Sequence, residues 1–257
     1  MRRVLALAWR PLLLLVALLG VWELYVDLGG ADPLILPAPH SVASSLYDDR
    51  ALLWSNFVTT AQEVLLGILL AVAVGFVLAV AIHFSRTLRD ALYPLIVASQ
   101  AVPIVVLAPV LAFWLGFGIL PKLVVVALVS FFSIVVTTLA GFASVDPDLI
   151  KLMRTFDSTR VRTFRFVELP AALPGLFTGA RIAVAVAVIG AVFAEWTGSS
   201  SGLGYLLIQS IPQLLSARAF AAVVILSLFA IALFVLLTLA ERLLLPWAHR
   251  PRGERSI

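Results

Sequence analysis

Apolar and polar positions alternate along this chain in long blocks. Six apolar stretches run over about 9–28, 60–84, 92–115, 119–142, 176–196 and 220–245. Each is long enough for a helix to cross a hydrocarbon layer, since about 20 residues rising 1.5 Å apiece span about 30 Å. Only GFGILPK parts the third from the fourth, and Gly116, Gly118 and Pro121 mark a tight turn there. Gly175 and Gly179 open the fifth stretch four residues apart, a spacing that lets helices pack closely. Two longer polar segments remain, about 29–59 with LPAPHSV and about 143–175. In the second, Pro147 with Asp146 and Asp148 suits a helix start. Leu149, Leu152, Met153 and Phe156 then recur at helical spacing. Asp157, Ser158 and Thr159 break that pattern. A second short helix is expected over 161–169, with Phe164 and Val167 on one face, ended by Pro170. No internal repeat is visible, so one domain over 1–257 is expected, with its core at about 56–245 and a protruding loop at about 143–175.

Composition places those stretches in lipid. Of 257 residues 62% are hydrophobic and 12% charged, against roughly 45–50% and 25% in soluble domains. The net charge of +4 does not indicate nucleic acid, because the cations lie between apolar runs, where they orient spans. With the N-terminus inside, fourteen Lys and Arg face the cytoplasm, Arg250, Arg252 and Arg255 among them, and three (Arg50, Lys122, Arg218) face out. Both termini and the 143–175 loop are therefore expected on the cytoplasmic side. The first stretch has no closely following A-x-A site and reads as a retained span.

The same residues exclude several chemistries. There is no cysteine, and His40, His83 and His249 are scattered, so neither thiol chemistry nor a metal site is expected. No G-x-x-x-x-G-K-[ST] occurs, and GSSSGLG at 198–204 lacks the lysine, so any ATP and magnesium must sit on another subunit. Arg181 alone is clearly inside a span, which argues against the rival class, an ion-coupled secondary transporter. Gln100, Pro103 and Pro109 interrupt the third stretch; an ordinary kink and a wall of a translocation path are both open.

The apolar residues of the 143–175 loop need the spans or a docking partner. That loop resembles the "EAA" loop of permease subunits of binding-protein-dependent ABC importers. Lys151-Leu152-Met153 stands at the Glu-Ala-Ala positions, Asp157 at the glycine, and Val167, Leu169 and Pro170 fall in frame, followed by Pro174. Asp tolerates left-handed backbone better than most residues, so the bend is expected to persist. LPAPHSV, YPLIVASQAVPIVVLAPVLAFWLGFG and AEWTGSSSGLGYLL resemble the nitrate/sulfonate/taurine branch, and KLMRTFDSTRVRTFRFVELPAALP resembles the thiamine-precursor (hydroxymethylpyrimidine) permeases most. The resemblance implies an all-α type I importer permease with six spans in the inner membrane, working by alternating access, as a homodimer with two cytoplasmic ATPase subunits and a periplasmic or lipid-anchored binding protein. The solute would be small and polar: a pyrimidine thiamine precursor, or a sulfonate, taurine or nitrate. It also implies an ATPase-docking knob at Met153, Arg154, Thr155, Phe156, Asp157, Ser158 and Thr159, and a gate or path at Gln100, Pro103, Glu195, Gly202 and Gly204. For Glu195 a gate or packing role, a solute contact and plain interfacial placement beside Trp196 all remain open.

Overall fold

The computed structural model describes residues 2–249; Arg250, Arg252 and Arg255 of the charge count lie outside them. The described residues are helical with short joints. In chain order the helices are α1 (Arg2–Asp27), α2 (Pro39–Asp48), α3 (Arg50–Phe84), α4 (Arg86–Ser99), α5 (Ile104–Leu115), α6 (Ile119–Ala143), α7 (Pro147–Thr155), α8 (Arg160–Thr163), a π turn over Phe164–Glu168, α9 (Leu169–Glu195), α10 (Leu203–Ser210) and α11 (Ser216–Leu244). Five helical runs are long and apolar enough to cross a membrane: Trp9–Asp27, Arg50–Phe84, Ile119–Ala143, Arg160–Glu195 and Ser216–Leu244. The pair α4 and α5 supplies a sixth if counted as one broken span.

That pair corrects one expectation. The third apolar stretch is not a continuous helix; it bends by 104° between Ser99 and Ile104. Pro103 disfavours helical backbone at Val102, and the chain turns there instead. The freed amides of Gln100, Ala101 and Val102 donate to the carbonyls of Val97, Ala98 and Ser99, so the turn keeps these three amides paired. A second correction concerns Pro170, which does not end the helix that precedes it. The backbone widens into the π turn, where the Leu169 amide donates to the Phe164 carbonyl. Pro170 then occupies the first turn of α9, where its missing N–H is harmless. The helical run Arg160–Glu195 of 36 residues is thus about 54 Å long, well beyond one bilayer core.

The chain forms two compact units, Met1–Thr59 with Ser200–Ser227, and Thr60–Ser199 with Leu228–Ile257. In the first, Arg218 grips Asp49 with two hydrogen bonds of 2.9 and 2.7 Å, and Ser45 donates to the same carboxylate at 2.9 Å. The Arg218 contact holds the Asp49 carboxyl below its ordinary range. Trp22 packs on Phe220 at 5.9 Å. His40 stands against Glu23, and Asp27 is close enough that one ligand atom from each lies within 4.8 Å of the others. The sequence spacing conceals this grouping. The Glu23 contact raises the affinity of the His40 ring for its proton.

The second unit is built around α6, and glycine decides how near its neighbours come. A methyl group on Gly179 would meet the Thr137 Oγ1 at 2.3 Å and the Ile134 Cα at 2.7 Å; on Gly175 it would meet the Thr137 carbonyl oxygen at 2.3 Å. From the other side, Gly67 and Gly75 of α3 face Val126 and Ile134 of α6. The short separation lets Ser133 Oγ donate across to the Gly179 carbonyl at 3.2 Å. In lipid, where apolar surface gives no hydrophobic drive for helices to associate, close van der Waals packing of this kind is a main source of cohesion.

Gly179→Ala should therefore force α6 and α9 apart and cost about 1–3 kcal/mol. Gly20→Ala, with nothing within 4 Å of the new methyl, should change stability by less than about 0.5 kcal/mol. Thermal unfolding of the two purified variants in detergent checks this; equal melting temperatures would refute it.

Candidate functional site

Helix α7 is made by its caps. The Asp146 carboxylate accepts from the Asp148 amide at 2.9 Å, Pro147 takes the first helical position and Arg154 lies in the last turn. At the far end Asp157 has φ +49°. Its amide donates to the Arg154 carbonyl at 3.0 Å, and the Ser158 amide reaches back to Met153 at 3.1 Å. This pair of bonds is a Schellman cap with aspartate in the left-handed place usually filled by glycine. The bend expected from Asp157 is therefore present. Thr159 restarts the helix by accepting from the Arg162 amide at 3.3 Å.

The cap turns one apolar face of α7 outward. Leu149 is 49% exposed, Leu152 51% and Phe156 74%, three and four residues apart as one helical stripe requires. Lys151, Arg154 and Thr155 are exposed around it, whereas Met153 is half-buried. The outward stripe is thus carried by the two leucines and Phe156. Behind it the next segment is held firmly. Phe164 lies 4.9 Å from Phe84 and 5.7 Å from Phe142, Arg160 donates to the Phe84 carbonyl at 3.0 Å, and Glu168 bonds His83 at 3.0 Å. Val167, Leu169, Pro170 and Pro174 are half-buried. The Pro170 carbonyl accepts from Trp247 Nε1 at 3.4 Å, and that of Pro174 from Thr178 at 2.9 Å.

The residues expected at a gate or path fall in three places. Gln100 and Pro103 line the break between α4 and α5 and, with Ser99, Phe131 and Gly190, border a cavity of about 430 Å³ whose lining carries no charged side chain. Glu195 lies apart from that cavity lining. It is 1% exposed, so its carboxyl is covered by protein. Thr60 Oγ1 donates to its Oε1 at 2.6 Å. Gly202 and Gly204 belong to the first unit. Gly202 has φ +120°, and its amide donates to Asn56 Oδ1 at 2.8 Å; Gly204 is buried in α10.

Two buried ion pairs were not visible in the sequence. Lys122, counted above among the outward-facing cations, is 9% exposed within α6. Its Nζ donates to Glu63 Oε1 at 2.6 Å and to Ser199 Oγ at 2.7 Å. Arg181 pairs with Glu241 at 2.6 Å. Arg181 is therefore not the one ionisable group inside the spans. The signal that could have found Glu63 is its place at the head of the long apolar run that begins at Val64, since a carboxylate there needs a partner.

Residues 64–250 match the family model described as "Binding-protein-dependent transport system inner membrane component". A probable ABC transporter permease protein of Haemophilus influenzae is 37% identical over 88% of this chain and 92% of its own. A formylaminopyrimidine transport permease protein of Halalkalibacterium halodurans is 34% identical over 95% and 97%. The taurine transport system permease protein of Escherichia coli is 30% identical over 91% and 87%. Among solved structures, an amino acid ABC transporter overlays with a TM-score of 0.61 at 16% identity, covering 79% of this chain and 96% of that one, which supports the fold. With its bent and unbroken spans and its capped loop helix, the chain belongs to the inner-membrane permease components of binding-protein-dependent ABC transport systems, in the branch that holds the sulfonate, taurine and thiamine-precursor permeases.

Proposed function

We propose that the chain is the translocating subunit of an ATP-driven importer, a homodimer that docks two cytoplasmic ATPase subunits through α7 and receives solute from a binding protein on the outer side. ATP and magnesium belong to the ATPase subunits; this chain carries no catalytic residue. The observation that carries the reading is the outward apolar stripe Leu149, Leu152 and Phe156 on a helix capped at both ends, since exposed apolar surface on a rigid element marks an interaction site. Met153, Arg154, Asp157, Ser158 and Thr159 shape that knob and its rim. The run from Thr159 through the π turn into α9 joins the knob to a span, so movement of the ATPase subunits is passed to α9 and alternates access to the path.

The path is assigned to the cavity at Gln100 and Pro103, with Glu195, Gly202 and Gly204 acting at gates. The solute is a small polar molecule. Similarity to the formylaminopyrimidine permease favours a pyrimidine thiamine precursor over taurine, a sulfonate or nitrate. Both termini and α7 face the cytoplasm in this reading, which the distribution of Lys and Arg supports.

Three outcomes test this. Phe156→Ala should weaken ATPase association about thirtyfold, since interface anchors cost about 2 kcal/mol or more and each 1.4 kcal/mol is tenfold. Arg162→Ala should leave association within about twofold. Co-purification of the ATPase, normalised to permease in the membrane, is the measurement, and the opposite ranking would place the knob elsewhere. In the cysteine-free background, a cysteine at the exposed Ala43 should react with an impermeant thiol reagent in intact cells. One at the exposed Lys151 should react only after permeabilisation; labelling of Lys151→Cys in intact cells would reverse the orientation. Gly202→Leu should abolish solute uptake while ATPase co-purification persists, because a side chain at φ +120° is strained by roughly 1–3 kcal/mol. Uptake at the wild-type rate would make Gly202 a plain turn residue.

A further inference from the structure

The cavity at the break between α4 and α5 has three walls of different chemistry. The break supplies Ser99, Gln100 and Pro103, α6 supplies Leu128 and Phe131, and α9 supplies Ile189. Its volume of about 430 Å³ falls in the range of small-molecule sites, about 300–1,000 Å³. The polar groups on these walls are few. Gln100 is exposed, and its carboxamide is bonded to no other described residue, so it offers two N–H donors and one carbonyl acceptor. Ser99 Oγ commits its hydrogen to the Ile96 carbonyl at 2.7 Å and keeps its lone pairs as acceptors. Helix α5 begins at Ile104 with no side-chain cap from Pro103, so the amides of its first turn are further donors. Phe131 is half-buried and is the one aromatic side chain in the lining.

These groups suit a neutral solute. Donors and acceptors stand side by side, and one aromatic face is available to cover a flat ring. They do not neutralise an anion. The end of α5 contributes only about half an elementary charge, and no lysine or arginine lines the cavity to supply the rest. We propose, resting on the reading of this cavity as the path, that Gln100 and Phe131 select the solute there. The Gln100 carboxamide reads the hydrogen-bonding edge of an uncharged nitrogen heterocycle, and the Phe131 ring stacks on its face. A sulfonate or nitrate finds no cation at the same place and is turned away. The chain thus carries a charge filter of its own.

The chain has no cysteine and Ile189 is 53% exposed on the α9 wall, so Ile189→Cys places a single thiol reporter in the cavity. In the full-length chain in lipid nanodiscs, an amino-substituted hydroxymethylpyrimidine should slow the reaction of that thiol with a maleimide. Taurine at the same concentration should not. Adding Gln100→Leu should raise the half-protecting pyrimidine concentration about tenfold, as expected for a polar group left unpaired. Phe131→Leu should raise it about threefold. Gln100→Arg should bring in protection by taurine. Equal protection by both solutes, protection by neither, or pyrimidine protection unchanged in both Gln100→Leu and Phe131→Leu would overturn the proposal. The path reading is tested separately, in cells expressing the importer. Full maleimide labelling of Ile189→Cys should stop solute uptake there; uptake at the unlabelled rate would refute the path reading and leave the binding result as it is.

Discussion

The closeness of helices to α6 is the constraint on which the second unit depends. Lipid is as apolar as leucine, so spans gain little by hiding aliphatic side chains from it. What remains is contact at short range, and that requires backbones with nothing between them. Gly175 and Gly179 leave no space for even a methyl group against Thr137 and Ile134. Gly67 and Gly75 do the same for α3. Once α3 and α9 are both drawn to α6, the polar side chains that they carry are forced together. Glu63, Lys122 and Glu195 meet because the glycines on the same helices set the spacing.

Buried polar groups then act as register marks. A shift of α3 along α6 would strand Lys122 or Glu63, and an unpaired buried charge is far costlier than a lost apolar contact. Arg181 with Glu241 plays the same part between α9 and the end of α11. Glycine permits approach at several registers; the ion pairs accept one. The broken span obeys a related rule. Its turn at Gln100 to Val102 returns each of these three amides to a nearby carbonyl, which keeps the turn itself paired beside the cavity.

The loop that follows α6 uses local chemistry in place of packing. Asp146, the left-handed Asp157 and Thr159 fix where α7 begins and ends, and the stacked rings of His83, Phe142 and Phe164 hold the next segment to the end of α3. The π turn before Pro170 keeps the backbone helical across a residue that ordinarily stops it. A rigid connection from the exposed stripe into a membrane-spanning helix is the consequence.

Residue order alone determined the number and rough limits of the apolar stretches, the start of α7 at Pro147, the bend at Asp157 and the close-packing face at Gly175 and Gly179. These rest on backbone preference and periodicity, which act over a few neighbouring residues. The sequence also carried the family, through motifs kept in frame. Tertiary structure alone decided the rest. Whether Pro103 kinks or breaks a span and whether Pro170 stops or continues one depend on where the displaced hydrogen bonds can go. Lys122 read as an outward-facing cation, and the role of Glu195 stayed open between gate or packing, solute contact and interfacial placement, because each is near the end of its apolar stretch. Only the approach of α3, α6 and α9, which joins residues 59 and 135 positions apart in the chain, buries both and gives each a partner. Charge pairing across such distances follows from packing, and the sequence records the charges without their neighbours.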